Sequence, residues 1–213
     1  MSSRPTSRES KEQTRKRNTD AILAAAEIAF AAHGYRGASL GMIAEMASLP
    51  KSNVTYYFQS KEALYKSVLS NICLLWLQAG DEITEDNDPA LALTSYIHDK
   101  LDLARSRPHG SRVWANEIMG GATFIEEFLS STVMEWLNQR ATVLECWMDK
   151  GFLDRSDPKI IFYMIWATTQ HYADFESQIV SLNGHQPMAD RDWQRTKETV
   201  SRMILKGLGA RTA

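Results

Sequence analysis

Apolar residues recur every three or four positions along most of the chain, which is the spacing of helices that bury one face. After residue 60 no stretch alternates apolar and polar residues as a strand does. Clusters of Gly, Pro, Asp and Asn interrupt the helical pattern and mark the ends of elements. We therefore predict an all-α protein of nine helices. Six of them follow residue 60, over residues 61–80, 90–105, 108–119, 123–150, 158–182 and 190–208.

Three helices are predicted before residue 60. The first is alanine-rich and ends at Gly34, where glycine suits the left-handed conformation of a helix end. Two short helices follow between residues 39 and 58, joined by a turn at residues 47–49. Ser39 is placed to cap the first of these, and Pro50 to occupy the first position of the second. Two short helices joined in this way form a DNA-reading unit.

The apolar residues of this unit indicate which faces are buried. We expect three of them to form the inner face of the first short helix, namely Ile43, Met46 and Ala47, and three others to hold the second helix in place, namely Leu49, Val54 and Phe58. The second helix then exposes polar side chains that suit a major groove, Lys51, Ser52, Asn53, Thr55 and Tyr56.

The helix-turn-helix stretch resembles the TetR family of bacterial repressors. The matching residues are Ile43-Ala44, Ala47, Phe58 and Lys61-Glu62-Ala63-Leu64. Three positions depart from the family pattern: Ser48 replaces the turn glycine, Pro50 replaces the capping serine and Tyr57 replaces a histidine. The resemblance implies a small DNA-binding domain followed by a larger ligand-binding one. We expect a disordered arm over residues 1–12, the DNA-binding domain over 13–60 and a ligand-binding and dimerisation domain over 61–213.

The resemblance also implies roles for individual residues on double-stranded DNA with a palindromic operator. We expect Lys51 and Asn53 to reach base edges. The phosphate candidates are Ser39, Tyr56, Tyr57 and Lys61. Arg17 belongs to a basic arm that would lie along the DNA backbone, although a solvated tail is the alternative for any one of its residues.

Charge is unevenly distributed although the net charge is only −2. Residues 1–66 contain 10 Lys and Arg against 6 Asp and Glu, whereas residues 67–213 contain 14 against 20. A basic head on an acidic body fits DNA binding, and an ordinary uneven distribution is the alternative. No apolar run reaches the roughly 18 residues of a membrane span, and no secretory signal begins the chain. We expect a cytoplasmic protein without a membrane segment.

Catalytic and metal chemistry find no support in the sequence. Cys73 and Cys146, the two cysteines, lie in separate apolar stretches and predict neither a disulfide nor a zinc site. The five histidines show no metal-ligand spacing, and no glycine-rich phosphate loop is present. We therefore expect no enzyme activity, no metal and no cofactor. A ligand-binding dimer that does not bind DNA is the remaining alternative class.

A homodimer is predicted from the last two long helices. The stretch over residues 160–179 is apolar nearly all round, so both of its sides must be covered. A monomer that covers them with its own core is the alternative, but a palindromic operator favours a twofold dimer. The predicted interface residues are Ile161, Ile165, Tyr172, Phe175, Trp193, Val200 and Ile204.

A ligand site is predicted on the opposite side of the same helix. Trp166, Gln170 and Asp174 are spaced by four and share one stripe. Buried polar groups need partners, so an ordinary core network is the alternative to a ligand. The other candidates that we place around the ligand are Trp76, Arg112, Asn116 and Glu117.

Residues 165–175 are similar to a pyrimidine-responsive branch of the TetR family. The likeness is carried by Trp166-Ala167, Gln170-His171 and Tyr172 to Phe175. It implies uracil or thymine as the effector, stacked on Trp166 or Trp76 with its imide edge on Gln170. A regulator of this type that responds to a different small molecule is the alternative.

Overall fold

The structure is a computed structural model and describes residues 11–211. Within that range every regular element is helical, which confirms the all-α prediction. The α-helices are α1 (Lys11–Gly37), α2 (Leu40–Met46), α3 (Lys51–Phe58), α4 (Lys61–Gln78), α5 (Pro89–Ser106), α6 (Pro108–Met119), α7 (Glu126–Phe128), α8 (Met134–Asp149), α9 (Pro158–Asp174), α10 (Glu176–Leu182) and α11 (Asp190–Gly207).

Two interruptions explain how these segments relate to the predicted nine helices. A π-helix, Leu129–Val133, joins α7 directly to α8. Phe175 alone separates α9 from α10, with φ −112° and ψ 26°. When each of these two runs counts as one helix, the described residues contain nine.

The chain divides between Val68 and Leu69 into two compact units. The core of the first unit includes the fully buried apolar residues Ile22, Ala26, Phe30, Ile43, Val54 and Leu64. Phe30 meets Tyr65 edge-on, with ring centroids 4.9 Å apart. Residues 1–10 of the expected disordered arm lie outside the described residues, while Lys11 and Glu12 are part of α1.

Local chemistry sets the ends of the helices in the first unit. The predicted cap forms, because the amide of Met42 donates to Ser39 Oγ at 3.2 Å. Ser60 caps α4 in the same way, with the Ala63 amide 3.0 Å from its Oγ. Gly34, at φ 65°, breaks the helical conformation inside α1. Ser48 also has a positive φ, 55°, at the turn between α2 and α3.

Two expectations for this unit are wrong. Met46 does not share the inner face of α2, because its side chain is 45% exposed. Ala44 is buried instead and packs beside Ile43. Pro50 precedes the first helical position rather than filling it, and its ψ of 143° is extended. The α3 helix therefore begins without a side-chain cap.

The second unit is built around α5, which packs against α9 and α11. Asp88 and Asp157 cap α5 and α9 through their side chains. Aromatic rings fill the centre, where Trp136 and Phe162 meet at 5.3 Å between centroids. One stripe of α5 is buried over its whole length, and it includes Tyr96 and Lys100. None of the helices within residues 11–211 combines the length and apolarity that a membrane crossing requires.

The seven predicted dimer-interface residues differ in how far the single chain buries them. Four of its members are buried within the chain's own core, Ile161, Ile165, Val200 and Ile204. Tyr172 and Trp193 are half-buried and their rings contact each other, while Phe175 is exposed. The apolar side chains that α9 and α11 present outward are Ile160, Tyr163, Met164 and Met203. We call Ile160, Met164 and Met203 the α9–α11 strip.

Candidate functional site

The α3 helix presents a polar face while one apolar residue anchors it. Val54 is fully buried, whereas Tyr56 is 76% exposed. Lys51, Ser52 and Thr55 are exposed beside Tyr56, as the sequence predicts. The Thr55 hydroxyl donates to the Lys51 carbonyl at 3.2 Å, so part of its capacity is used within the helix.

Two further DNA candidates are partly engaged inside the first unit. Asn53 and Tyr57 are half-buried. Asn18 on α1 donates its amide N–H to the Tyr57 hydroxyl at 3.3 Å, which ties α1 to α3. The Tyr57 hydroxyl retains its own proton for a phosphate oxygen.

The remaining DNA candidates, Ser39, Arg17 and Lys61, lie outside α3 and differ in exposure. Ser39 and Arg17 are exposed, on the cap of α2 and on α1. Lys61 is partly engaged within the first unit, because its Nζ donates to the Ala38 carbonyl at 3.1 Å. The same ammonium lies 4.7 Å from the centre of the Tyr35 ring. Lys61 therefore fastens the start of α4 to the α1–α2 connection.

A small cavity lies inside the second unit where the ligand candidates meet. It measures about 40 Å³ and is lined by Trp76, Tyr96, Lys100, Trp114, Trp166 and Gln170, together with three apolar or thiol side chains. The Trp166 indole N–H donates to the Tyr96 hydroxyl at 2.7 Å. Trp76 and Trp114 meet edge to face at 5.5 Å between centroids. We call this space the indole cavity.

An open cleft of about 820 Å³ adjoins the indole cavity between α6 and α9. Trp114, Trp166 and Gln170 line both spaces, so these three side chains form the wall between them. Arg112, Asn116 and Asp174 line only the cleft. All three residues of the predicted stripe of α9 therefore face the cleft, and Trp166 and Gln170 also line the indole cavity.

Two charged groups of the cleft, Asp174 and Arg112, already have partners. The Ser111 hydroxyl donates to Asp174 Oδ1 at 2.6 Å. Burial raises the pKa of Asp174, against the opposing effects of that hydrogen bond and of nearby positive charges. Arg112 turns to Glu176, 3.3 Å away, and so serves as a link between α6 and α10.

Glu117 lies apart from the other ligand candidates. It is 7% exposed and its Oε1 accepts from the Phe124 amide at 2.7 Å. It lines neither the indole cavity nor the cleft. Its role is to hold the loop that follows α6.

Three residues of the site were missed from the sequence: Tyr96, Lys100 and Ser111. Lys100 is 2% exposed and its Nζ lies 4.1 Å from the centre of the Trp76 ring. Burial lowers the pKa of Lys100 to about 7 and raises the pKa of Cys73, which lines the same cavity, to about 12. The helical period of α5 was the available signal, because Lys100 follows buried Tyr96 by four residues.

Within residues 11–211 no three His, Cys, Asp or Glu side chains come together as a metal site. The indole cavity is lined by groups suited to recognition: flat indole walls, one primary amide and one buried amine.

Known proteins resemble this chain in both sequence and fold. Residues 22–68 match the profile "Bacterial regulatory proteins, tetR family", and residues 69–211 match "YcdC-like protein, C-terminal region". Over 191 residues the chain is 37% identical to the HTH-type transcriptional regulator RutR of Escherichia coli, covering 90% of each protein.

Two solved structures show the same architecture at low identity. The ketosteroid transcriptional regulator KstR2 of Mycobacterium tuberculosis superposes with a TM-score of 0.69 at 15% identity, over 89% of this chain and 94% of that one. The regulator PfmR of Thermus thermophilus gives 0.68 at 15% identity, over 87% and 97%. Together with the two matched profiles and the identity to RutR, these likenesses show that the chain belongs to the TetR family of DNA-binding transcriptional regulators.

Proposed function

We propose that this chain is a homodimeric repressor whose affinity for a palindromic operator changes when a pyrimidine, uracil or thymine, binds at the indole cavity. The observation that carries the proposal is the cavity itself, in which indole walls surround the Gln170 amide. A primary amide offers one acceptor and two donors, which complements the alternating C=O and N–H groups of an imide edge. The similarity of residues 165–175 to pyrimidine-responsive family members supports the same ligand.

The effector has to displace part of the wall. The indole cavity, at about 40 Å³, has room for water rather than for a ring, since small-molecule sites usually measure roughly 300–1,000 Å³. The adjoining cleft supplies that volume. Trp114 is half-buried and stands between the two spaces, so its rotation is the simplest way to join them.

The DNA interface of the proposed repressor is the exposed face of α3. Lys51, Ser52, Thr55 and Tyr56 form it, with Asn53 at its edge. Each copy of α3 would enter one of two successive major grooves, about one helical turn apart. Lys51 and Asn53 remain the base-edge candidates, and we assign Lys61 to holding the first unit together, through its hydrogen bond to the Ala38 carbonyl.

A second copy of the chain would cover the α9–α11 strip. Ile160 and Met203 are 63% and 65% exposed, and Met164 is 41% exposed. These side chains line an apolar groove of about 620 Å³. Exposed apolar surface of this kind marks an interface, and a palindromic operator requires a twofold partner.

The α4 helix is the proposed link between effector and DNA. It begins three residues after α3 ends and continues to Gln78, so that it also carries Trp76 of the indole cavity. We infer that an effector shifts α4 and changes the separation of the two α3 helices. A coupling of about 1–3 kcal/mol changes operator affinity roughly 5- to 150-fold.

The test of the effector is calorimetry with uracil and thymine, with cytosine as the ligand control. We expect micromolar binding to one site per subunit, which Trp166→Ala and Gln170→Ala abolish. Gln178→Ala, an exposed glutamine on α10, is the matched control and retains binding. Absence of heat with every pyrimidine contradicts the effector and leaves a regulator that responds to a different small molecule.

The test of DNA binding is a gel shift on a duplex that the protein itself selects from a random library. Phosphate contacts make such binding weaken steeply as salt rises. We expect this dependence and a loss of binding in Lys51→Ala. A protein that selects no duplex is instead a ligand-binding dimer without DNA binding.

A further inference from the structure

Lys100 is a buried amine for which the cavity provides no close anionic partner. Its side chain is 2% exposed, and among the described residues no carboxylate lies within ion-pair distance of its Nζ. The ammonium faces the Trp76 ring at 4.1 Å. A charged amine without a partner is costly in an apolar interior, so residues of this kind are usually paired.

The groups that face Lys100 do not supply the missing charge. From α4, Cys73 is a neutral thiol near neutral pH, because burial raises the pKa of Cys73 to about 12. On α5 itself, burial raises the pKa of Tyr96, so the phenol also stays neutral. From α9, Asp174 attracts Lys100 at longer range while it accepts from Ser111 of α6. Arg112 of α6 is turned to Glu176.

We propose that Lys100 is the recognition cation of the indole cavity, to which the effector presents a carbonyl or anionic oxygen. The ligand class is a flat ring that bears such an oxygen and rests against Trp76. This inference deepens the proposed function and rests on it only in placing the effector in this cavity. A pyrimidinedione has two carbonyl oxygens, of which one would face Lys100 and the other would remain for Gln170.

Proton uptake is the distinguishing consequence. Lys100 has a pKa of about 7 in the free protein, so it is mostly neutral at pH 8. An acceptor oxygen at Nζ stabilises the ammonium and raises the pKa of Lys100 in the complex. Binding above pH 7 therefore takes up a proton, and affinity falls by up to about tenfold for each pH unit.

The experiment is calorimetry of the wild-type protein with uracil at pH 8 in phosphate and in Tris, which differ in ionisation enthalpy. We expect the observed enthalpies to differ by the amount that corresponds to nearly one proton taken up per subunit. Lys100→Met should weaken binding at least tenfold and remove the difference between buffers. Lys150→Met, at an exposed lysine, is the matched control and keeps both. Uracil binding without proton uptake overturns the inference and leaves the proposed function intact.

A thermal-shift panel separates the two proposals if uracil does not bind. The panel contains barbiturate and orotate as oxygen-bearing rings and 4-aminopyridine as a cationic ring. Stabilisation of the wild type by the oxygen-bearing rings, absent in Lys100→Met, supports Lys100 as the recognition cation while the pyrimidine effector fails. A panel in which no ring stabilises the wild type more than Lys100→Met overturns the inference.

Discussion

Replacing Lys61 by Met tests whether this lysine holds the first unit together or contacts DNA. The substitution retains most of the apolar stem and removes the ammonium. Two contacts are lost: the hydrogen bond to the Ala38 carbonyl at 3.1 Å and the contact with the Tyr35 ring at 4.7 Å. A hydrogen bond from a charged donor contributes about 1.5–3 kcal/mol, and partial exposure places this one at the lower end. A cation on an aromatic face adds about 0.5–1 kcal/mol.

We therefore expect Lys61→Met to destabilise the first unit by about 2–3 kcal/mol. For a unit of this size, that lowers the midpoint of its thermal transition by on the order of 10 °C. Circular dichroism during heating measures the change. The salt dependence of DNA binding should not change, because no phosphate contact is removed.

Lys51→Met is the matched control for Lys61→Met. Lys51 is exposed on α3, so its loss should weaken DNA binding and leave the thermal midpoint unchanged. The reasoning is refuted if Lys61→Met unfolds at the wild-type temperature while its salt slope falls by about 0.9, the value for one phosphate. A double-mutant cycle with Tyr35→Leu isolates the ring contact, for which we expect about 0.5–1 kcal/mol of coupling.

Three other substitutions test the backbone, the buried amine and the dimer. Ser48→Gly should raise the free energy of unfolding in urea by about 0.5–1 kcal/mol, because glycine accepts φ 55° without strain; a loss of stability would contradict this. The free energy of unfolding of the wild type should rise between pH 7 and 10, by up to about 1.4 kcal/mol per pH unit. The reason is that the pKa of Lys100 is lower in the folded state than in the unfolded chain, so the unfolded chain binds more protons in that window. Lys100→Met should lack this rise, and equal pH profiles would show that the amine is solvated. Ile160→Glu should dissociate the dimer in sedimentation velocity. Leu91→Glu, at a similarly exposed residue on α5, should leave the dimer intact. An intact Ile160→Glu dimer would place the interface elsewhere.

Features set by neighbouring residues were predictable from the sequence. Ser39 forms the predicted cap, because a capping side chain and the amide that donates to it lie within one helical turn. Ser48 stands where the family pattern has the turn glycine, and it has the positive φ that favours glycine.

The faces of α9 were harder to assign, because this helix is apolar nearly all round. Ile160 and Ile161 are the same residue type, yet one is 63% exposed and the other 2%. Periodicity distinguishes an apolar face from a polar one, but it does not show which of two apolar faces turns inward. The packing of α5, α6 and α8 against α9 settles that choice.

The site residues on α5 were missed for a different reason. Lysine is usually found at the protein surface, so residue type gave no reason to single out Lys100 as a site residue. Its burial depends on contacts with Trp76 on α4 and with the cavity wall, which are distant in sequence. The π-helix before α8 gave no sequence signal that we can identify.

The shared wall of the indole cavity has a kinetic consequence. If a ring is admitted only when Trp114 has moved, the observed association rate should rise with effector concentration and then level off at the rate of wall opening. Equilibrium affinity is lowered by the fraction of molecules whose wall is closed. Trp114→Ala should therefore abolish the plateau of the association rate in stopped-flow experiments and tighten binding. In the wild type, the movement of one indole ring, rather than diffusion, would then set the response time of the regulator.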